Sequence, residues 1–196
     1  MQPNITGVIL AGGRSSRMGG NDKGLIHLHG KPLFQHVIDR LRPQVDEILI
    51  NANRNQAYYQ KSGIPIINDV ITGFVGPLAG IHAGLSYSAT EWVVFAPCDV
   101  PTLPTNLVSH LWQGKRQALA AYVQDSERAH PTLALMHISL KPLLAEYLAK
   151  GDRKLMIFME NINAQSVMFS GQASQFSNLN TPADCQLWEK DNRGPL

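Results

Sequence analysis

Four short apolar runs in the first half of the chain each stop at polar or glycine residues, with helix-forming segments between them. Residues 6–11 stop at Gly12-Gly13, residues 47–50 at Asn51, residues 64–67 at Asn68-Asp69, and residues 92–96 at Pro97-Cys98-Asp99. Runs of this length and apolarity read as strands buried on both faces. Pro32 opens a segment in which Leu33, Phe34, Val37, Ile38 and Leu41 recur at helical spacing, and Pro43 stops it. Residues 55–62, 78–88 behind Pro77, and 104–113 read as further helices. Strand alternating with helix predicts an α/β fold of three layers, a mostly parallel, Rossmann-like sheet flanked by helices. Beyond residue 115 the pattern changes: 118–123 and 132–136 read as strands joined by the polar stretch 124–130, then 140–149 and 154–160 as helices, 165–169 as a last strand and 181–188 as a last helix.

That architecture directs the search for a site. In open α/β sheets ligands bind beyond the carboxyl ends of the strands, so Gly12-Gly13, Asn51, Asn68-Asp69 and Asp99 are the first candidates. The 196 residues fit one domain. A net charge of +2 is too small for wrapping nucleic acid but suits small anionic substrates. Cys98 and Cys185 lack the spacing of a zinc site and read as reduced thiols. His27 and His29 alternate on a predicted strand and would share one face, with no third ligand near, so a surface role is expected. No run approaches the ~20 apolar residues of a membrane span. The first four residues lack the basic start of a signal peptide, and a cytoplasmic protein is expected.

The loop after the first strand carries the most chemistry. Residues 10–23 read Leu-Ala-Gly-Gly-Arg-Ser-Ser-Arg-Met-Gly-Gly-Asn-Asp-Lys, with four glycines and three basic residues. Gly12 and Gly13 let backbone approach a ligand closely, and N–H groups in such turns cradle phosphate oxygens. Arg17 offers a bidentate phosphate contact and Lys23 a point charge. The spacing is neither that of a Walker A loop nor that of a dinucleotide fingerprint. Taken alone, the loop is also compatible with a solvated Gly-rich connection.

The pattern Leu-Ala-Gly-Gly, then Arg17-Met18-Gly19, then Asp22-Lys23 resembles the signature loop of the MobA-like nucleotidyltransferases. The resemblance continues through Asn51-Ala52-Asn53-Arg54, Gly76-Pro77-Leu78-Ala79-Gly80, Pro97-Cys98-Asp99-Val100-Pro101, His130-Pro131-Thr132 and Asn178-Leu179-Asn180-Thr181-Pro182, nearly the whole chain. It implies transfer of GMP from GTP to the terminal phosphate of molybdenum-bearing molybdopterin, with release of pyrophosphate and formation of the guanine dinucleotide cofactor. Gly12 favours guanine, because cytidylyl relatives tend to have Leu-Ala-Ala-Gly here. A nucleotide-binding half over 1–115 and a molybdopterin-binding half over 116–196 follow from the same resemblance.

The resemblance also distributes roles. Leu10, Ala11 and Gly12 would meet the base and ribose through their backbone, Gly13 would belong to the same GTP site, Asn51 and Asp69 would meet the nucleoside, and Arg17 and Lys23 the triphosphate. Asp99, a carboxylate at the end of the most apolar strand, would hold Mg²⁺, which takes oxygen ligands and often only one or two protein carboxylates. Asp69 can accept the N1–H and N2 amino donors of guanine. For the acceptor the candidates are Gly80, His130, Arg153, Lys154, Asn178 and Asn180. Blander readings stand beside these: Asn51 and Asp69 as turn residues, Asn180 as a helix N-cap, residues 153–154 as a solvated face, and residues 76–80 as a turn. The attacking group is already an anionic phosphate, so no general base is assigned. Arg17, Lys23 and Asp99 together favour an enzyme over a nucleotide carrier. A cytidylyltransferase for the same pterin is the nearer alternative, and a sugar-phosphate nucleotidylyltransferase would need a longer chain. Transient contact with proteins that deliver or receive the cofactor is expected, and none with nucleic acid or membrane.

Overall fold

The computed structural model describes residues 1–11, 22–73 and 76–192. The elements in chain order are β1 Ile5–Leu10, β2 His27–Leu28, β3 Lys31–Pro32, α1 Leu33–Leu41, β4 Glu47–Asn51, α2 Gln56–Gln60, β5 Ile66–Ile67, α3 Pro77–Tyr87, β6 Trp92–Pro97, α4 Leu107–Gly114, β7 Ala120–Gln124, β8 Ala129–His137, α5 Lys141–Ala149, α6 Leu155–Asn161, β9 Gln165–Met168 and α7 Pro182–Asp191. One seven-stranded sheet runs β5-β4-β1-β6-β8-β7-β9. β1 pairs in parallel with β4 and β6, β4 with β5, and β7 with β9, while β8 runs antiparallel between β6 and β7.

Side chains alternate across a strand, so each strand feeds two cores. Ile5 and Ile9 of β1, Ile48 and Ile50 of β4, and Trp92, Val94 and Ala96 of β6 point to one face. There they meet Phe34, Val37 and Leu41 of α1, Tyr59 of α2, and Leu107, Val108 and Leu111 of α4. Val8 and Leu10, Leu49, and Val93 and Phe95 point to the other face, against Leu78, Ile81 and Leu85 of α3, Leu144 and Leu148 of α5, and Phe158 and Met159 of α6. The result is the expected three layers. Among the described residues no helix is long and apolar enough to cross a membrane.

Three sequence expectations change. His29 sits in the β2–β3 turn with φ 49°, so it does not share a strand face with His27; its ring instead stands edge-on to Trp188 at 5.8 Å. β8 begins at Ala129 rather than 132, because Asp125 closes a tight turn by accepting the N–H groups of Glu127 and Arg128 at 2.8 Å each. α4 begins at Leu107 rather than 104, after a run of turns. The chain's last helix, α7, packs Cys185 with Ile26, Leu28, Leu33 and Leu179, so it lies against the β2–β3 hairpin and not beside β9, which precedes it in the chain. Cys98 and Cys185 are both buried and free.

Candidate functional site

β1, β4 and β6 end side by side, and their ladder carries one step further: Ala11 N–H donates to Asn51 O at 2.9 Å and Cys98 N–H to Leu10 O at 3.1 Å. A cavity of about 340 Å³ opens above these ends, walled by Leu10, Ala11, Asn51, Asp69, Pro97 and Asp99, by Asp22 and Lys23 on one side, and by Thr132 and Asn178 on another. Gly12, Gly13 and Arg17 lie outside the described residues.

Lys23 reaches the cavity from a short 3₁₀ turn. Asp22 caps that turn, its Oδ1 accepting Gly24 N–H at 3.1 Å and its Oδ2 the Asn55 Nδ2 at 3.3 Å. Beneath it a Cβ on Gly24 would stand 2.7 Å from the buried Tyr59 hydroxyl, so only glycine lets the turn settle this low. Lys23 Nζ donates to Asn180 Oδ1 at 2.8 Å and lies 3.9 Å from Asp99 Oδ2. Asp99 is 8% exposed. Burial pushes its carboxyl above the usual carboxylate range, although Lys23 and its own backbone N–H pull the other way. Among the described residues this buried carboxylate has one ammonium, almost 4 Å away, and is under-neutralised by them. A hard cation bound through oxygen fits that deficit, with phosphate and water completing its shell. Asp99 can supply one protein ligand to such an ion. Burial and the adjacent Asp99 raise the Cys98 thiol well above its ordinary value, which favours a neutral, packed side chain.

Asn180 is not the N-cap of α7. Thr181 is, in a capping box with Asp184, whose Oδ2 accepts the N–H groups of Asn180 and Thr181 at 2.9 Å each. That box leaves the Asn180 side chain for Lys23. Leu179 N–H donates to Asp99 O at 2.9 Å, which ties the segment to the end of β6. On the opposite wall, Asn51 Nδ2 donates to Asp69 Oδ1 at 3.0 Å, and Asp69 N–H to Asn53 Oδ1 at 2.9 Å. Asp69 is thus held from both ends, which a bare turn residue would not be.

The structure brings Leu10, Ala11, Lys23, Asn51, Asp69, Asp99 and Asn178 to this one cavity, with Asn180 behind Lys23. His130, Arg153, Lys154 and Gly80 do not line it. His130 Nε2 is spent on Asp125 Oδ2 at 2.6 Å. Burial alone would raise the Asp125 carboxyl, but the Arg128 N–H, His130 and the Glu127 N–H outweigh it and hold the group below its ordinary value. Arg153 and Lys154 lie in the turn between α5 and α6, while Gly80 lies behind Asn51 in α3. Asp22, Asn53 and Thr132 stood within the shared motifs but were given no role from the sequence. Asp22 was visible as the acid before Lys23, a residue type that closes a turn on the backbone two residues on.

The MobA-like NTP transferase domain matches residues 7–166. A protein of Yersinia pseudotuberculosis serotype O:1b named molybdenum cofactor guanylyltransferase is 77% identical over 194 residues, covering 99% of this chain and all of that one. The crystal structure of molybdopterin-guanine dinucleotide biosynthesis protein A from Archaeoglobus fulgidus superposes with a TM-score of 0.76 at 25% identity, covering 95% of this chain and 97% of that one. At 14% identity, 4-diphosphocytidyl-2C-methyl-D-erythritol synthase from Anaerococcus prevotii shares the fold with a TM-score of 0.74, covering 96% of this chain and 95% of the other. A cavity with a lysine, a buried carboxylate and a braced acid at the strand ends, inside a match that spans most of the sequence, makes the chain a member of the MobA-like NTP transferase family.

Proposed function

We propose that the chain is a Mg²⁺-dependent guanylyltransferase that moves GMP from GTP to the terminal phosphate of molybdenum-molybdopterin. The observation that carries this reading is the Lys23 ammonium held between Asn180 and Asp99 at the mouth of β1 and β6, across the cavity from Asp69. The relatives' names supply the nucleotide and the acceptor.

An acceptor phosphate oxygen attacks the α-phosphorus of GTP, the bond to the β-phosphate oxygen breaks, and pyrophosphate leaves with that electron pair. No proton has to move. The chain's work is therefore placement and charge stabilisation. Lys23, pinned by Asn180, stands where negative charge grows on the leaving group, so its attraction strengthens in the transition state. Asp99 would hold Mg²⁺, which when bound neutralises phosphate oxygens as a Lewis acid. Asp69 would accept from the guanine edge while Leu10 and Ala11 flank the base. Asn178 and Thr132 line the side left for the acceptor. Residues 1–115 hold the nucleotide and residues 116–196 contribute to the acceptor side.

Pyrophosphate release tests the reading, with molybdopterin acceptor, Mg²⁺ and GTP, CTP, ATP or UTP in separate reactions. Release with GTP alone, dependent on acceptor, is expected. Release with CTP in preference to GTP overturns the guanine assignment, and GTP binding without release overturns the enzyme.

A further inference from the structure

Gly80 lies in the first turn of α3, facing the ends of β1 and β4. A Cβ there would stand 2.5 Å from Asn51 Oδ1 and 3.0 Å from Leu10 Cδ2. The first of these neighbours cannot swing aside. Asn51 is 2% exposed, and its Nδ2 is committed to Asp69 Oδ1 at 3.0 Å and to Ile67 O at 3.4 Å. Any displacement of the carboxamide away from α3 is passed to Asp69. Asn53 holds the backbone of Asp69 but not its carboxylate. Asn51 therefore helps to set the direction of the carboxylate, and the place of Asn51 depends on the absence of a side chain at Gly80.

We infer that Gly80 and Asn51 are positioning residues for base selection. Gly80 leaves the space in which the Asn51 amide lies, and Asn51 aims Asp69 at the N1–H and 2-amino donors of guanine. This moves Gly80 from the acceptor side of the site to the nucleotide side, and it rests on the proposed reading of guanine by Asp69. A carboxylate aimed at two donors distinguishes GTP from inosine triphosphate, which is GTP without the 2-amino group. The same carboxylate turned aside distinguishes them less, because hydrogen bonds weaken steeply with misalignment.

The test is the ratio of dissociation constants for GTP and inosine triphosphate, by calorimetry on the full chain, together with KM for the acceptor. Wild type is compared with Asp69→Ala, Gly80→Ala, Asn51→Ala and the Gly80→Ala/Asn51→Ala pair. Asp69→Ala is expected to bring the two affinities together. Gly80→Ala is expected to weaken GTP binding about tenfold, as for one lost hydrogen bond to a charged group, and to pull the ratio toward one with acceptor KM unmoved. In the Asn51→Ala background, Gly80→Ala should cost much less, since the group it displaces is gone; two residues acting through one contact are not additive. Asn51→Ala only removes atoms, so it tests the aiming of Asp69 even if Gly80→Ala fails to fold. A ratio that collapses in Asp69→Ala but not in Gly80→Ala and Asn51→Ala overturns this inference alone. A ratio unmoved in Asp69→Ala overturns the guanine reading beneath it. Additive losses overturn the coupling through Asn51, and a raised acceptor KM in Gly80→Ala returns Gly80 to the acceptor side.

Discussion

Two buried carboxylates lie at the same edge of the sheet, and their surroundings differ in kind. Asp125 is 3% exposed and closes the turn between β7 and β8, taking two backbone N–H groups and His130 within 2.8 Å. Asp99 is 8% exposed and has Lys23 at 3.9 Å. Burial opposes ionisation of both, yet the Asp125 carboxyl is lowered and the Asp99 carboxyl raised. Hydrogen bonds to the charged form settle Asp125, whereas among the described residues Lys23 and one backbone N–H do not outweigh burial at Asp99. A fully satisfied acid belongs to the architecture. An acid left short of charge beside a cavity is suited to a cation that arrives with substrate.

The largest expected effect breaks the comparison if it fails. Asp99→Asn should cost roughly 100-fold or more in turnover, about 3 kcal/mol of barrier. It should not lower the melting temperature. The folded value of Asp99 lies above that of an unfolded carboxylate, so ionised Asp99 weighs against the folded state at neutral pH, and the amide relieves it. Pyrophosphate release and a thermal melt on one preparation check both halves. A lower melting temperature would make Asp99 a structural acid like Asp125. The converse variant, Asp125→Ala, should lose about 3 kcal/mol in urea unfolding, because it strands two backbone donors and His130. Its turnover below the unfolding transition should stay within about twofold of wild type, since Asp125 does not line the cavity.

How much of this was legible in the sequence follows the same division. The strand ends were readable, because burial on both faces leaves a continuous apolar run and its polar end must face solvent or ligand; Asn51, Asp69 and Asp99 were found that way and share one cavity. Lys23 came from the loop pattern. The partner of His130 was not readable, although it lies only five residues away. The sequence shows neither the burial of Asp125 nor the register shift after Tyr122 that lets the turn close. Asn180 was ambiguous for a different reason. The Thr181-x-x-Asp184 spacing already marked a capping box one residue further on, but the contact with Lys23 spans 157 positions and exists only in the fold. Gly80 likewise read as an acceptor contact or as part of a turn, because its closeness to the Asn51 amide exists only in the fold.

A smaller effect sharpens the account of Lys23. Asn180→Ala removes its 2.8 Å acceptor and leaves the Asp99 carboxylate at 3.9 Å, so the ammonium should turn toward Asp99 and away from the leaving group. Turnover should fall about tenfold, as for one hydrogen bond to a charged group, with the melting temperature nearly unchanged because Thr181 and Asp184 still cap α7. A drop of several degrees would mean that Asn180 serves the helix after all.

The smallest effect is a pH dependence of stability, and its sign separates the two acids. Asp125 has a folded value below that of an unfolded carboxylate, near 4. Its contribution is therefore complete above about pH 4 and is lost as pH falls through the lower folded value. The stability gap between wild type and Asp125→Asn should stay constant from neutral pH down to about pH 4 and narrow only below it. For Asp99 the sign reverses. Its folded value is raised, so the excess stability of Asp99→Asn over wild type should be fully present at neutral pH and shrink as acid protonates Asp99 in the folded state. That narrowing begins above the ordinary carboxylate range, before the Asp125 gap has moved. Urea midpoints across the acid range for the three proteins decide it. Gaps that narrow together would show that the two carboxylates sit in equivalent surroundings, and the contrast between a satisfied acid and one kept for a cation would be lost.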